Sequence, residues 1–210
     1  MGLFISFEGP DGAGKTTQVN LLAGWFENFG YQVTVTREPG GTPLGDKIRE
    51  LLLDPVNSMC AQTEALLYAA ARAQHVKEVI APALSRGEVV ITDRYSDSTF
   101  VYQGTARALE KLHLEALNAF AVRGIMPDLT ILLDAEIASL QHRVAGRGEC
   151  DRIEQEGSAF HAAVRQGFLD LAAEEPRIKV VSALGSPAVV HAAVAAVVSE
   201  FLKGKKTDEN

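Results

Sequence analysis

Gly9-Pro10-Asp11-Gly12-Ala13-Gly14-Lys15-Thr16 lies between a short apolar run and an amphipathic one, and how it is read decides the fold. Gly9, Gly14, Lys15 and Thr16 satisfy the spacing G-x-x-x-x-G-K-[ST]. Glycines there let the backbone curl until its N–H groups point at phosphate oxygens, and a helix starting near Gly14 adds its positive end. Lys15 can reach β- and γ-phosphates, and the Thr16 hydroxyl can take a place on Mg²⁺. A chance glycine-rich turn could match the letters. It would not also follow a strand and open a helix. Leu3–Phe7 is rich in β-formers, whereas Val19, Leu22, Ala23 and Phe26 fall at i, i+3, i+4 and i+7. Residues 9–17 therefore read as a nucleoside-triphosphate phosphate-binding loop.

Outward from the loop, apolar runs and helical periodicity alternate. Gly30 is placed to end the first helix, and strands are expected at Tyr31–Thr36, Glu88–Thr92, Leu129–Asp134 and Lys179–Ser182. Helices are expected over Leu44–Leu53, Ala61–Arg86 with a kink at Pro82, Ala108–Arg123, Glu136–Ala145 and Glu154–Glu174. Ser186 and Pro187 open a last one as N-cap and first residue. Strands that are continuously apolar and separated by helices imply a parallel sheet covered on both faces. One doubly wound α/β domain over residues 1–210 is expected, with residues 203–210 as a frayed tail.

Composition narrows the class. The 210 residues are 47% hydrophobic and 22% charged, enough for a core without staples. A net charge of -7 leaves no basic footprint for nucleic acid, so an anionic ligand must find its arginines locally. Cys60 and Cys150 lack metal or disulfide spacing and read as reduced thiols. Residues 1–5 carry no leader signature, and the apolar run Ala188–Val198 falls short of the roughly 20 residues that span a bilayer. A cytoplasmic protein free of membrane is the expectation. His75, His113, His142, His161 and His191 are scattered without ligand spacing or a clear carboxylate partner, and read as structural.

A phosphate-binding loop serves small-molecule kinases, GTPase switches and ATPases alike. No Asn-Lys-x-Asp segment reads guanine, and no apolar run ends in Asp-Glu to activate water. The apolar strand Val89–Thr92 runs instead into Asp93-Arg94-Tyr95. There Asp93 can hold Mg²⁺ or its waters, while Arg94 bridges the phosphates of a donor and a phosphorylated acceptor.

Arg37-Glu38-Pro39-Gly40-Gly41-Thr42, Asp93-Arg94-Tyr95, Tyr102-Gln103-Gly104 and Asp151-Arg152-Ile153-Glu154 stand in the order and spacing of bacterial thymidylate kinases. The chain resembles that family from about Leu3 to Phe201. The resemblance implies five parallel strands, transfer of phosphate from ATP to dTMP with Mg²⁺, and a homodimer. It gives Asp11 the acceptor sugar's 3′-hydroxyl and Arg49 the acceptor phosphate. It also brings Glu38 and Pro39 to the acceptor. Tyr68 and Arg72, one helical turn apart, become a ring that stacks on the base and a donor to its carbonyl, though tyrosine stands where the family usually has phenylalanine. Thr99 falls to the base and Tyr102 beneath the sugar, with Gln103 beside them. Ser98 is either a further acceptor contact or a helix cap.

The same resemblance makes residues 143–153 a lid. Some thymidylate kinases carry an arginine inside the loop; Gly12-Ala13 stands there here. Transition-state charge is then expected to be met by lid arginines, Arg147 and Arg152 foremost, with Arg143 packing on the adenine. The competing readings are another nucleoside-monophosphate or deoxynucleoside kinase on the same scaffold, or a non-catalytic ATP-sensing module. Acceptor preference separates the first, and absence of product the second.

Overall fold

The computed structural model describes residues 2–140 and 150–208, with side chains described up to residue 205. Five strands form one parallel sheet: β1 Leu3–Glu8, β2 Val33–Arg37, β3 Val89–Asp93, β4 Leu129–Asp134 and β5 Ile178–Ser182, ordered β2-β3-β1-β4-β5. β1, β3 and β4 are buried along nearly their whole length, which is why their sequences are continuously apolar. The edge strands β2 and β5 alternate or turn polar because each is only half covered. Register aligns Phe7 of β1 and Arg37 of β2 with Asp93 of β3. Three strand ends therefore open on one crevice, at the point where the chain crosses from one side of β1 to the other.

Between them run α1 Lys15–Asn28, α2 Pro43–Leu53, α3 Ala61–His75, α4 Ala81–Ser85, α5 Ser96–Thr99, α6 Lys111–Val122, α7 Ser158–Glu174 and α8 Pro187–Asp208. Alternate residues of β1 go to opposite faces. Ile5 and Phe7 pack with Leu22 and Phe26 of α1 and Val194 of α8, whereas Phe4 packs with Val76, Ile80 and Tyr95. A third cluster joins Tyr102, Leu132 and Phe168.

Several boundaries differ from the sequence reading, each for a local reason. β2 begins at Val33 because the Tyr31 backbone N–H donates to Phe26 O at 3.2 Å and closes the end of α1. The single helix expected to Arg86 is interrupted by a π-helical turn at Val76–Ile80, after which α4 carries Pro82 in its first turn. The wider turn absorbs the proline's missing donor and steric demand. Residues 96–106 are helical, with a π turn at Phe100–Ala106, although the sequence shows no helical period there. Their side chains are held by distant partners instead. Of the helix expected at Glu136–Ala145, the described part is helical at 137–140. α7 starts at Ser158, since Asp151–Glu154 forms its own capped turn: Asp151 Oδ1 accepts from the N–H groups of Ile153 and Glu154, both at 2.9 Å.

The tail expected to fray is helical to Asp208. Lys205 ties it down, with Nζ 2.6 Å from Asp128 Oδ1 and over the Phe201 ring. Pro187–Lys205, at mean hydropathy 1.3, is also long and apolar enough to meet the length and composition of a bilayer span, beyond the run read from the sequence. Val190, Val194 and Val198 form its buried row, packed in the α1 cluster.

Candidate active site

The phosphate-binding loop follows β1 and ends in α1, with Gly14 at φ +88 as the residue before the helix. Gly9, at φ +137, tolerates no side chain: a Cβ there would stand 2.3 Å from Leu133 O of β4. Lys15 Nζ donates to Gly9 O and Pro10 O, both at 3.0 Å, and so lies curled in the loop. Burial, reinforced by Arg94, lowers its pKa to about 8. Thr16 Oγ1 donates to Asp93 Oδ2 at 2.6 Å, joining the loop to the end of β3. One hydroxyl beside one carboxylate, with phosphate oxygens and waters completing an octahedron, fits the donor set of Mg²⁺. Among the described residues no cluster of three His, Cys, Asp or Glu side chains offers an all-protein cage.

Gly12, Gly14, Lys15, Thr16 and Thr17 line a cleft of about 590 Å³, together with Asp11, Arg37, Glu38, Arg49, Asp93, Arg94 and Asp151 among others. Gly9 and Pro10 serve the loop through their carbonyls, and Ala13 is buried beneath it. Beside the cleft is a cavity of about 80 Å³, lined by Asp11, Glu38, Pro39, Arg49, Leu53, Tyr68, Arg94, Ser98, Thr99, Tyr102, Gln103, Asp151 and Ile153. The two share Asp11, Glu38, Arg49, Arg94 and Asp151 and so form one continuous site.

Arg94 stands at the junction. Its backbone is left-handed at φ +71, a conformation that costs a non-glycine residue about 1–2 kcal/mol, and its N–H donates to Phe7 O at 2.9 Å. The turn aims the guanidinium at Gly9 O (3.1 Å), Ser98 Oγ (3.2 Å), Asp11 Oδ1 (2.6 Å) and Tyr102 Oη (2.9 Å). Burial pushes the Asp11 carboxyl up, but Arg94 and Lys15 together pull it down to about 2. Burial likewise holds the Tyr68 and Tyr102 phenols above their ordinary range, so both are neutral at pH 7. Arg49 Nη1 donates to Pro39 O at 3.1 Å.

Glu8, whose partner the sequence did not disclose, accepts from Tyr95 N at 2.8 Å and Ser98 Oγ at 2.6 Å. Burial, with Asp97 nearby, raises its pKa to about 7. Ser98 is therefore no helix cap. It lies within α5 and bridges Glu8 to Arg94.

Comparison with known proteins gives the chain that carries this site a family. A family model described as thymidylate kinase matches residues 7–194. The chain belongs to the thymidylate kinase family. The chain is 50% identical over 200 residues to a thymidylate kinase of Deinococcus radiodurans, covering 95% of this chain and 97% of the relative. It is 50% identical over 204 residues to that of Pseudomonas syringae pv. tomato, covering 96% and 97%. A solved thymidylate kinase from Ehrlichia chaffeensis superposes with a TM-score of 0.78 at 31% identity, over 94% of this chain and 98% of that one.

Within this thymidylate kinase family chain, the acceptor residues inferred from sequence line the small cavity, with one exception. Arg72 lies behind the wall, 1% exposed. Nε donates to Glu38 Oε2 (2.7 Å), Nη1 to Thr99 Oγ1 (2.9 Å) and Asn118 Oδ1 (2.7 Å), and Nη2 to Tyr95 O (3.3 Å). Four of its five N–H groups are thus committed to the protein. Arg143, Arg147 and His142 lie outside the described residues. Arg152 is described, and faces the acceptor wall: Nε donates to Leu52 O at 2.7 Å and Nη2 lies 2.7 Å from Glu64 Oε2. That last contact is an ion pair rather than an aligned hydrogen bond. Glu64 also accepts from Gln103 Nε2 at 2.8 Å and pairs with Arg107.

The histidines need one correction. His75 does have a carboxylate partner, Glu38 Oε1, at 3.0 Å. It follows Tyr68 and Arg72 at i+7 and i+3 on the same face of α3, a spacing that could have exposed it. Asn118 was also missed; a polar residue in the buried row Leu114, Asn118, Ala121, Val122 of α6 was the available signal.

Proposed function

We propose that this chain transfers the γ-phosphoryl group of ATP to dTMP, giving dTDP for dTTP synthesis. The observation that carries the reading is the junction at Arg94, one guanidinium bonded to the loop carbonyl Gly9 O and to Asp11 and Tyr102 of the acceptor cavity. A side chain so placed can span donor and acceptor phosphates while an acceptor oxygen attacks in line. An acceptor phosphate is already ionised at neutral pH, so no general base is needed.

In this reading Lys15 and the loop N–H groups take the donor phosphates, and Arg49 takes the acceptor phosphate. Tyr68 stacks on the base, with Thr99, held from behind by Arg72, turned to its edge and Gln103 alongside. Asp11 holds the 3′-hydroxyl, and Tyr102 fills the space a 2′-hydroxyl would need. Thr16 and Asp93 would hold Mg²⁺, which when bound supplies charge neutralisation on the phosphates. Arg147 and Arg152 bring lid charge to the transition state, and Arg143 packs on the adenine.

We place the protein in the cytoplasm as one domain and as a homodimer, bound neither to nucleic acid nor to membrane. Leu66, Leu112 and Phe120, 58%, 70% and 83% exposed on α3 and α6, support association through that face. The test is a steady-state comparison of dTMP with dUMP, CMP, AMP and thymidine as acceptors. dTMP should give the highest kcat/KM; a preference for AMP or for unphosphorylated thymidine would overturn the assignment.

A further inference from the structure

His75 lies at the end of α3, fully buried, and lines neither the cleft nor the cavity. Its ring is held at both nitrogens: Nδ1 is 3.0 Å from Glu38 Oε1 and Nε2 is 2.6 Å from Thr36 Oγ1. An ionised carboxylate only accepts, so Nδ1 carries the proton, and in the neutral ring Nε2 accepts from the threonine hydroxyl. The other Glu38 oxygen takes Arg72 Nε at 2.7 Å, and Arg72 Nη1 reaches Thr99 of the cavity wall at 2.9 Å. Glu38 is thus fixed from two sides, and a buried carboxylate gripped on one side only can pivot on its remaining partner.

The loop at residues 37–42 rests on the same ring. Gly41, at φ +77, passes so close that a Cβ would come within 2.9 Å of His75 Cδ2 and Nε2 and 2.7 Å of Thr36 Oγ1. One imidazole therefore backs both the loop that brings Glu38 and Pro39 to the acceptor and the carboxylate that orients Arg72.

We propose that His75 is a positioning residue for the acceptor: it fixes the Glu38 carboxylate, through it the Arg72 guanidinium and Thr99, and so sets affinity for the acceptor base, while the donor phosphates are held by Lys15 and the loop N–H groups. The proposal rests on the dTMP reading above. Tyr68, Arg72 and His75 on one helix face then follow one another as ring, wall anchor and support.

Three substitutions separate support from bulk. In His75→Asn the side-chain amide reaches the place of Nδ1 and can still donate to Glu38. In His75→Gln it reaches the place of Nε2 and keeps only Thr36, and His75→Leu keeps neither. KM for dTMP and for ATP, and kcat per folded molecule, are measured for each variant. Loss of a hydrogen bond to a buried charge predicts a dTMP KM raised about tenfold or more in His75→Leu and His75→Gln, with ATP KM and kcat within about twofold. His75→Asn should recover most of the dTMP KM. KM does not depend on the folded fraction, so partial unfolding of the leucine variant leaves the comparison readable. An unchanged dTMP KM in His75→Leu, equal rises in both KM values, or failure of His75→Asn to recover overturns the proposal. Absence of dTMP turnover in the unmodified protein would instead count against the substrate reading, before any variant is compared.

Discussion

The donor cleft takes eight of its lining residues from one stretch, Asp11 to Asn20, whereas the acceptor cavity draws on six separate segments between Asp11 and Ile153. The cleft presents the loop backbone, Lys15 and the hydroxyls of Thr16 and Thr17. The cavity presents polar side chains already bonded to neighbours: Glu38 and Thr99 to Arg72 behind the wall, Gln103 to Glu64, Tyr102 to Arg94 and Asp11. Phosphate is recognised by charge and backbone geometry, which a short motif supplies. A base and a sugar are recognised by fixed donors and acceptors at set distances, which only a network crossing the fold can hold.

Arg94 belongs to both regions, and its loss should produce the largest effect. Arg94→Ala should lower kcat on the order of 10³-fold or more, because charge developing between the two phosphates loses its bridging cation. Single-turnover rates at saturating ATP and dTMP give the measurement. A variant whose deficit disappears at high dTMP would move Arg94 wholly into the acceptor cavity and break its place at the junction.

Arg152 sharpens the same boundary from the other side. Its guanidinium is held by Leu52 O and Glu64, on the acceptor wall, yet its neighbours Asp151 and Glu154 line the donor cleft. Arg152→Ala should lower kcat roughly 10²-fold, with dTMP KM changed little, if the side chain turns to the transferring phosphate. The opposite split, a raised dTMP KM with kcat kept, would assign it to the wall through Glu64 and leave the catalytic charge to another lid residue.

The same contrast governs how much the sequence disclosed. The five strands, the loop and α1 were legible because each rests on contiguous pattern: β1, β3 and β4 are unbroken apolar runs, and Gly9 to Thr16 is a motif. The helical segment Ser96–Ala106 was not, since nothing in its own sequence favours a helix and its fixing partners, Glu8, Arg177, Arg72 and Glu64, lie 27 to 90 residues away. Most acceptor residues were recovered through family resemblance, but their bonding was not. Arg72 was expected to meet the base directly, whereas four of its N–H groups hold the wall together. The π turn before Pro82 and the Glu38–His75 pair likewise depend on contacts that no local window contains.

The smallest effect separates the two regions by pH. Lys15, its pKa lowered to about 8 by burial and by Arg94, begins to lose its proton in the free enzyme just above neutrality. Donor phosphates need the ammonium form, so ATP affinity is full below pH 8 and falls as pH rises past it, by up to about tenfold per unit. The acceptor side should not follow. Its cations are arginines, which stay charged, and Asp11, held down to about 2, is ionised throughout. KM for ATP should therefore climb between pH 8 and 9.5 while KM for dTMP stays level. Calorimetric titration of ATP at pH 9, in buffers of different ionisation heat, should show proton uptake approaching one per nucleotide. A flat ATP KM over that range, with no proton taken up, would mean that Lys15 stays charged in its nest of carbonyls. The donor cleft would then be as fixed in its charge as the acceptor cavity beside it.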